Sequence, residues 1–289
     1  MHAFKSDQPR ARALVHTWRH TAVLRMALVW LAMVALAMAG GMRDAAASGP
    51  QSSASPRLAL VIGNDDYREF PKLIGAVSDA DLVAGALTAR GFQVVKATNV
   101  GRAAMTALIA DFEQSLALRG GVGVFYFSGQ AMNMAGEDIL FPIDARQASG
   151  ASLAKEGISL AQVQREIRPR TERPWRDNGI VTLYATSKGQ VAFDSLPGQK
   201  NSPFAIAFVN ALKQPGDDVQ EVFQRVRQGV EDAFRDPKLK DFKQTPDISG
   251  QLRERVFFSQ PARDPAGSLS RILLLDASRD TVSTGTVTR

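Results

Sequence analysis

Residues 122–134 read VGVFYFSGQAMNM. The stretch from Val122 to Phe127 is almost unbroken in apolar and aromatic side chains and too short for a stable helix, so it is predicted to be a strand buried on both faces. It stops at Ser128-Gly129, a turn pair, and then presents the neutral amide of Gln130 at the strand's exit.

The flanks repeat this pattern. Upstream, residues 57–62 (RLALVI) form another short apolar run that ends at Gly63-Asn64. Leu82, Val83, Ala86 and Leu87 then share a helical face, with Ser78 and Asp81 spaced as a capping box and Gly91 as the stop. Residues 92–95 (FQVV) predict a strand. Met105, Leu108, Ile109, Phe112 and Leu116 predict a second helix, capped by Asn99 and ended by Gly120-Gly121. The order β-α-β-α-β with all-apolar strands predicts a parallel sheet covered by helices on both faces.

Downstream, residues 132–141 predict a hairpin or irregular edge, and 159–167 a short helix. Residues 168–179 (RPRTERPWRDNG) are polar, carry two prolines and predict a loop. A buried strand at 180–184 (IVTLY) follows, and then the polar loop 185–200. Asn201-Ser202-Pro203 opens a helix with a capping side chain and a proline in the first turn. Val219, Val222, Phe223, Val226, Val230 and Phe234 mark another amphipathic helix, and 256–258 (VFF) a last strand. Residues 261–289 are expected to be a tail; its one apolar run, Ile272 to Leu275, belongs to no element that the pattern defines.

The first 47 residues differ from the rest. Arg10, Arg12, Arg19 and Arg25 precede an apolar run from Met26 to Ala39, followed by Ala37-Met38-Ala39 and Ala45-Ala46-Ala47 as cleavage sites. Basic start, apolar run and small-residue exit predict a signal peptide over residues 1–47, with an uncleaved membrane anchor as the alternative. Residues 48–56 are a Ser/Gly/Pro linker, and the folded domain is expected over 57–260. A periplasmic or secreted location follows from either fate of the leader.

That leader holds six of the 35 Lys/Arg and two of the 29 Asp/Glu, so the remainder carries 29 basic against 27 acidic residues. The basic balance belongs to the leader and gives no support for nucleic-acid binding. His2, His16 and His20 also precede the cut, and the chain has no cysteine. The exported part therefore excludes a Cys-His dyad, a Ser-His-Asp triad and a Cys/His zinc site. No metal or other cofactor is expected.

Function in a parallel α/β sheet collects where loops leave the carboxyl ends of strands. Three exits qualify: residues 63–67 (GNDDY), 128–130 (SGQ) and 185–190 (ATSKGQ). Ser128 or Ser187, with Lys188 as base, is the least poor nucleophile, although such a pair requires a desolvated lysine. Asp65, Asp66, Asp79 and Asp81 fit a turn and a helix start, where acids favour the dipole; a cation or a basic substrate side chain is the other use for them.

Seven strings together resemble the bacterial caspase-like peptidases of family C14, related to metacaspases. They are LVIGN (60–64) with Tyr67, VSDAD (77–81), FYFSG (125–129), FPID (141–144), LYAT (183–186) with Gly189-Gln190, NSPF (201–204) and EVFQRV (221–226). Their order is the family's, and they cover residues 57–258. The resemblance implies a caspase-like three-layer α/β sandwich with a mainly parallel central sheet. It also implies a catalytic histidine directly after Tyr-Phe-Ser-Gly, where this chain has Gln130, which cannot take a proton from a thiol. The family's cysteine closes the next strand in an Asp-Ala-Cys-Arg segment, expected here between Ile167 and Ile180. One register puts Trp175 at that position; a deletion accounts for the interval equally well. By the resemblance, Asp79 and Asp194 correspond to an acidic pocket for Arg or Lys. The expected protein is a proteolytically inactive binding or scaffolding module. Its cleft would be lined by Asp65, Gln130, Trp175, Ser187, Gln190 and Asp194, with a peptide or protein of the cell envelope as partner. An enzyme using Ser128 or Ser187 is the alternative.

Overall fold

The computed structural model of the chain describes residues 56–147, 151–166, 180–188, 190–215, 217–239, 241–250, 252, 255–259 and 271–276. Residues 1–55, where the signal peptide is expected, and Trp175 lie outside them. No helix among the described residues is long and apolar enough to cross a membrane.

Strands β1 (Arg57–Gly63), β2 (Gln93–Thr98) and β3 (Val122–Ser128) pair in parallel around β1. Helix α1 (Ala76–Ala89) connects the first two and α2 (Arg102–Arg119) the next two. Every residue of β1 and β3 is buried, as an apolar run without alternation requires. The side chains still alternate between faces. Ala59, Val61, Val124 and Tyr126 join one core cluster; Leu58, Leu60, Ile62, Phe125 and Phe127 join the other. Each large apolar side chain so buried contributes about 1.5–3 kcal/mol.

After β3 the chain forms a small antiparallel sheet of β4 (Ala131–Met134), β5 (Glu137–Leu140) and β6 (Ile158–Ser159). The predicted hairpin is β4-β5, closed at Ala135-Gly136, both with positive φ as a type I′ turn requires. Short helices α3 (Ala151–Ala154) and α4 (Leu160–Glu166) flank β6. Strand β7 (Ile180–Tyr184) then re-enters the main sheet. Helices α5 (Pro203–Lys213) and α6 (Val219–Ala233), a 3-10 turn, β8 (Asp247–Gly250) and β9 (Arg271–Asp276) complete the described chain.

The six-stranded sheet has the order β2-β1-β3-β9-β7-β8, parallel throughout except β8. Helices α1, α5 and α6 cover one face, and α2 and α4 the other. The three layers agree with the predicted α/β sandwich.

Four local expectations change. Residues 256–258 are not a strand: Phe257 forms an isolated bridge with Asp218. Val256 and Phe258 instead bury their side chains in the core under α5 and α6, because antiparallel β8 already holds the edge beside β7. Ser78 is not the cap of α1, which starts at Ala76 with Gly75 as its N-cap residue; the Ser78 hydroxyl donates to the carbonyls of Gly75 and Lys200. Asn99 does not cap α2, whose N-cap residue is Gly101. Asn99 adopts φ 52°, and its Oδ1 accepts from the N–H groups of Asp65 and Asp66 at 2.9 and 3.0 Å. Finally, the run Ile272 to Leu275 is a strand, β9, and it fills the place between β3 and β7. The sheet has neither a gap nor a missing strand there. A sequence pattern could not assign it, because its partners lie some 90 to 150 positions away in the chain.

Candidate functional site

Parallel strands leave the sheet at one edge, so the exits of β1, β3 and β7 share it. Hydrogen bonds stitch the β1 exit to the β3 exit and to the segment after β2. The N–H of Asn64 donates to Ser128 O at 2.8 Å, and Asn64 Oδ1 accepts from the N–H of Val100 at 2.9 Å. Gly63 and Gly129 permit the close approach: a Cβ on Gly63 would lie 2.4 Å from Ala76 O, and one on Gly129 2.6 Å from the Tyr67 hydroxyl.

Gln130 does not face an open cleft. It is 2 % exposed, and its Nε2 donates to Pro71 O at 3.1 Å. Its N–H donates to the Tyr67 hydroxyl at 2.7 Å, and its carbonyl accepts from the N–H of Phe141 at 2.9 Å. The Tyr67 hydroxyl in turn donates to Phe141 O at 3.0 Å. Burial pushes the Tyr67 phenol far above its ordinary range, so it stays neutral and serves as a hydrogen-bonding post. The amide that looks exposed in the sequence is thus a buried tie between the β3 exit and the 67–71 turn. Ile139 of β5 and Phe141 pack with Tyr67 and Phe70 in one core cluster, with Met132 and Met134 of β4 against it.

Two carboxylates organise the start of α1. Asp79, fully buried, accepts from Asn201 Nδ2 and the Ser202 N–H through one oxygen, both at 2.9 Å. Its other oxygen accepts from the Ser128 hydroxyl at 3.3 Å. Burial pushes the carboxyl up to about 6, against the pull of the Ser202 and Asn201 donors. Asp194, on the loop before α5, accepts from the N–H groups of Ile74 and Gly75, the latter at 2.9 Å. Burial raises its carboxyl as well. Asp65 adds charge nearby: it raises Asp194, and Asp194 raises Asp79. Asp66 and Asp81 stand apart as exposed partners of Lys72 and Lys96.

Ser187 and Gln190 belong to a second group. The Ser187 hydroxyl donates to Thr245 O at 3.0 Å. Gln190 Oε1 accepts from the Thr245 N–H at 2.9 Å and from the Thr186 hydroxyl at 3.2 Å. Buried Gln244, which no sequence pattern marks, donates to Ala185 O at 2.9 Å and accepts from the Phe193 N–H at 3.0 Å. These bonds pin the β7 exit to residues 244–245. Lys188 is exposed, so it lacks the desolvation that a lysine base requires.

The expected lining residues therefore fall into two hydrogen-bonded groups on one sheet edge, Asp65, Gln130 and Asp194 in one and Ser187 and Gln190 in the other. The exits that carry them flank β9. A cavity of about 630 Å³ lies elsewhere, between α5 and α6, and another of about 310 Å³ beside Val181 and Phe223. Among the described residues no group of three or more His, Cys, Asp or Glu is placed to hold a metal ion.

The family model of the caspase domain, peptidase family C14, matches residues 56–257. The chain belongs to the caspase-domain family. It is also 30% identical over 95 residues to the human mucosa-associated lymphoid tissue lymphoma translocation protein 1. That match takes in 33% of this chain and 11% of the human protein, so the chain spans a small part of that relative's length.

Within a caspase-domain frame the edge described above is where the resemblance places catalysis. The position following Tyr126-Phe127-Ser128-Gly129 is occupied by an amide whose hydrogen bonds are spent on the protein itself.

Proposed function

We propose that this caspase-domain protein is exported, does not cleave peptides, and acts as a peptide- or protein-binding module of the cell envelope. The observation that carries the proposal is the state of Gln130. At the position where the resemblance puts a proton-accepting imidazole, a buried amide is tied to Pro71 O, and residues 48–289 contain no histidine or cysteine to replace it. The basic start and apolar run of residues 1–47 support export.

The acids Asp65 and Asp194 give the edge a negative bias, so the partner proposed is a peptide segment that presents Arg or Lys. The expected result is no turnover of Arg- and Lys-terminated peptide reporters, with or without calcium. Fluorescence anisotropy of the same peptides should show saturable binding that weakens for Asp194→Asn. Turnover by the wild type that disappears in Ser128→Ala or Ser187→Ala would instead establish an enzyme with a serine nucleophile. The Ser128 hydroxyl beside Asp79 is the one contact that favours that second reading. Both hydroxyls, however, already donate within the protein.

A further inference from the structure

The cavity of about 630 Å³ between α5 and α6 shares no residue with the strand exits. Its floor is made of small side chains. Ala207 meets Gly229 there, and a Cβ on Gly229 would lie 3.0 Å from the Ala207 Cβ, so the glycine lets the two helices come this close. Its rim is made of amides. Asn210 and Gln214 stand four residues apart on α5, Gln224 and Gln228 four apart on α6, and all four are exposed. A step of four residues keeps side chains on one helix face at a rise of about 6 Å. Each wall therefore repeats a donor and an acceptor at that interval.

These amides are largely uncommitted, whereas the charges beside them are spent. Gln214 and Gln224 have no side-chain hydrogen bond among the described residues. Gln228 gives one N–H to Asp232 Oδ1 at 2.8 Å and keeps its oxygen; Asn210 Oδ1 accepts from Lys213 at 3.4 Å, and its N–H groups are left over. Arg225 donates to Pro215 O at 2.7 Å and pairs with Glu221, and Asp232 pairs with Arg235.

We infer that this groove is a second binding site, for an uncharged peptide segment in extended conformation. Backbone groups on one side of an extended chain recur every two residues, about 6.6 Å, close to the amide repeat. The wall from Pro203 to Gln214 spans about 16 Å, room for about five such residues. A helical ligand repeats at a similar interval, but its backbone is already hydrogen-bonded and leaves the amides nothing to read. Alternate side chains of the extended segment face the floor, where Ala207, Ala211 and Gly229 favour apolar ones. With no free charge on the rim, a charged segment recovers nothing for its lost hydration. The groove thus selects a partner unlike the basic peptide proposed for the strand exits and stands independently of that reading.

The probe is the uncharged peptide SVSVS, acetylated, amidated and fluorescently labelled, added to the full chain. Saturable anisotropy is expected, weakened about tenfold or more by Gln214→Ala with Gln224→Ala. Both residues are exposed and make no side-chain bond among the described residues, so the double variant should melt with the wild type. Methylating alternate backbone nitrogens of the probe should abolish binding. Absence of saturable binding overturns the inference, and so does binding indifferent to the double substitution or to N-methylation. A dimer in sedimentation that the double substitution dissociates would give the groove to a second copy and overturn it too. Asp194→Asn should leave the SVSVS response unchanged; loss of the response in that variant would move the peptide to the strand exits and overturn the inference. Failure of Arg and Lys peptides to bind would defeat the proposal for the strand exits and leave the SVSVS readouts as they are.

Discussion

The hydroxyl of Tyr67 accepts a hydrogen bond from the N–H of Gln130 at 2.7 Å and hands its own proton to Phe141 O at 3.0 Å. One side chain from the β1 exit thereby satisfies two backbone groups of the β3 exit and its hairpin, both buried.

Tyr67→Phe keeps the ring and removes both bonds. The N–H of Gln130 is then left without a partner in a dry environment, a loss of about 1–3 kcal/mol. Urea unfolding should show a lower midpoint with an unchanged slope. A midpoint equal to the wild type's would mean that water reaches the exit.

Asp79 makes stability fall as pH rises. Its folded-state carboxyl titrates at about 6, above its ordinary value of 3.8. Folding therefore favours the protonated form, and this contribution is full below pH 3.8 and lost as pH rises through about 6. The difference corresponds to about 3 kcal/mol as an order of magnitude. Asp79→Asn retains an oxygen for Asn201 and Ser202 and cannot ionise. It should unfold with a flatter pH profile between 4 and 6 and match or exceed wild-type stability at pH 7.5, as read by urea denaturation across that range. Identical profiles would remove Asp79 as the cause.

Asp194 and Asp81 provide a contrast. Asp194→Ala frees the N–H groups of Ile74 and Gly75 at the start of α1 and should cost about 1–2 kcal/mol. Asp81→Ala removes only an exposed pair with Lys96 and should change stability by less than about 0.5 kcal/mol. Thermal melts of the two variants side by side test the ranking.

Gln244→Ala should loosen the β7 exit. It deletes a buried amide that holds both Ala185 O and the Phe193 N–H, at a cost of about 2 kcal/mol. The expected local sign is faster hydrogen exchange in residues 185–193, with protection of β1 and β3 retained. Uniform loss of protection would indicate that the whole sheet depends on it.

Much of this was legible in the residues because local rules govern it. Runs such as 57–62 and 122–127 bury both faces whatever they pack against, and Ser202-Pro203 caps and starts α5 as those residue types do elsewhere. The expected caps at Ser78 and Asn99 failed for a physical reason. A remote carboxylate, Asp194, receives the N–H groups at the start of α1, and Asp144 receives the Arg102 N–H at 2.8 Å from beyond the β4-β5 hairpin. No pattern within a few residues records either partner.

The sequence alone determined the layered α/β architecture, the absence of histidine and cysteine from residues 48–289, and the amide at position 130. Those are matters of residue type and short-range spacing. The tertiary structure alone decided where Gln130 points, that Asp79 and Asp194 serve helix starts, and that a strand from residues 271–276 fills the centre of the sheet. Side-chain direction and strand order depend on contacts between residues tens to hundreds of positions apart, and such contacts are settled only when the whole core packs.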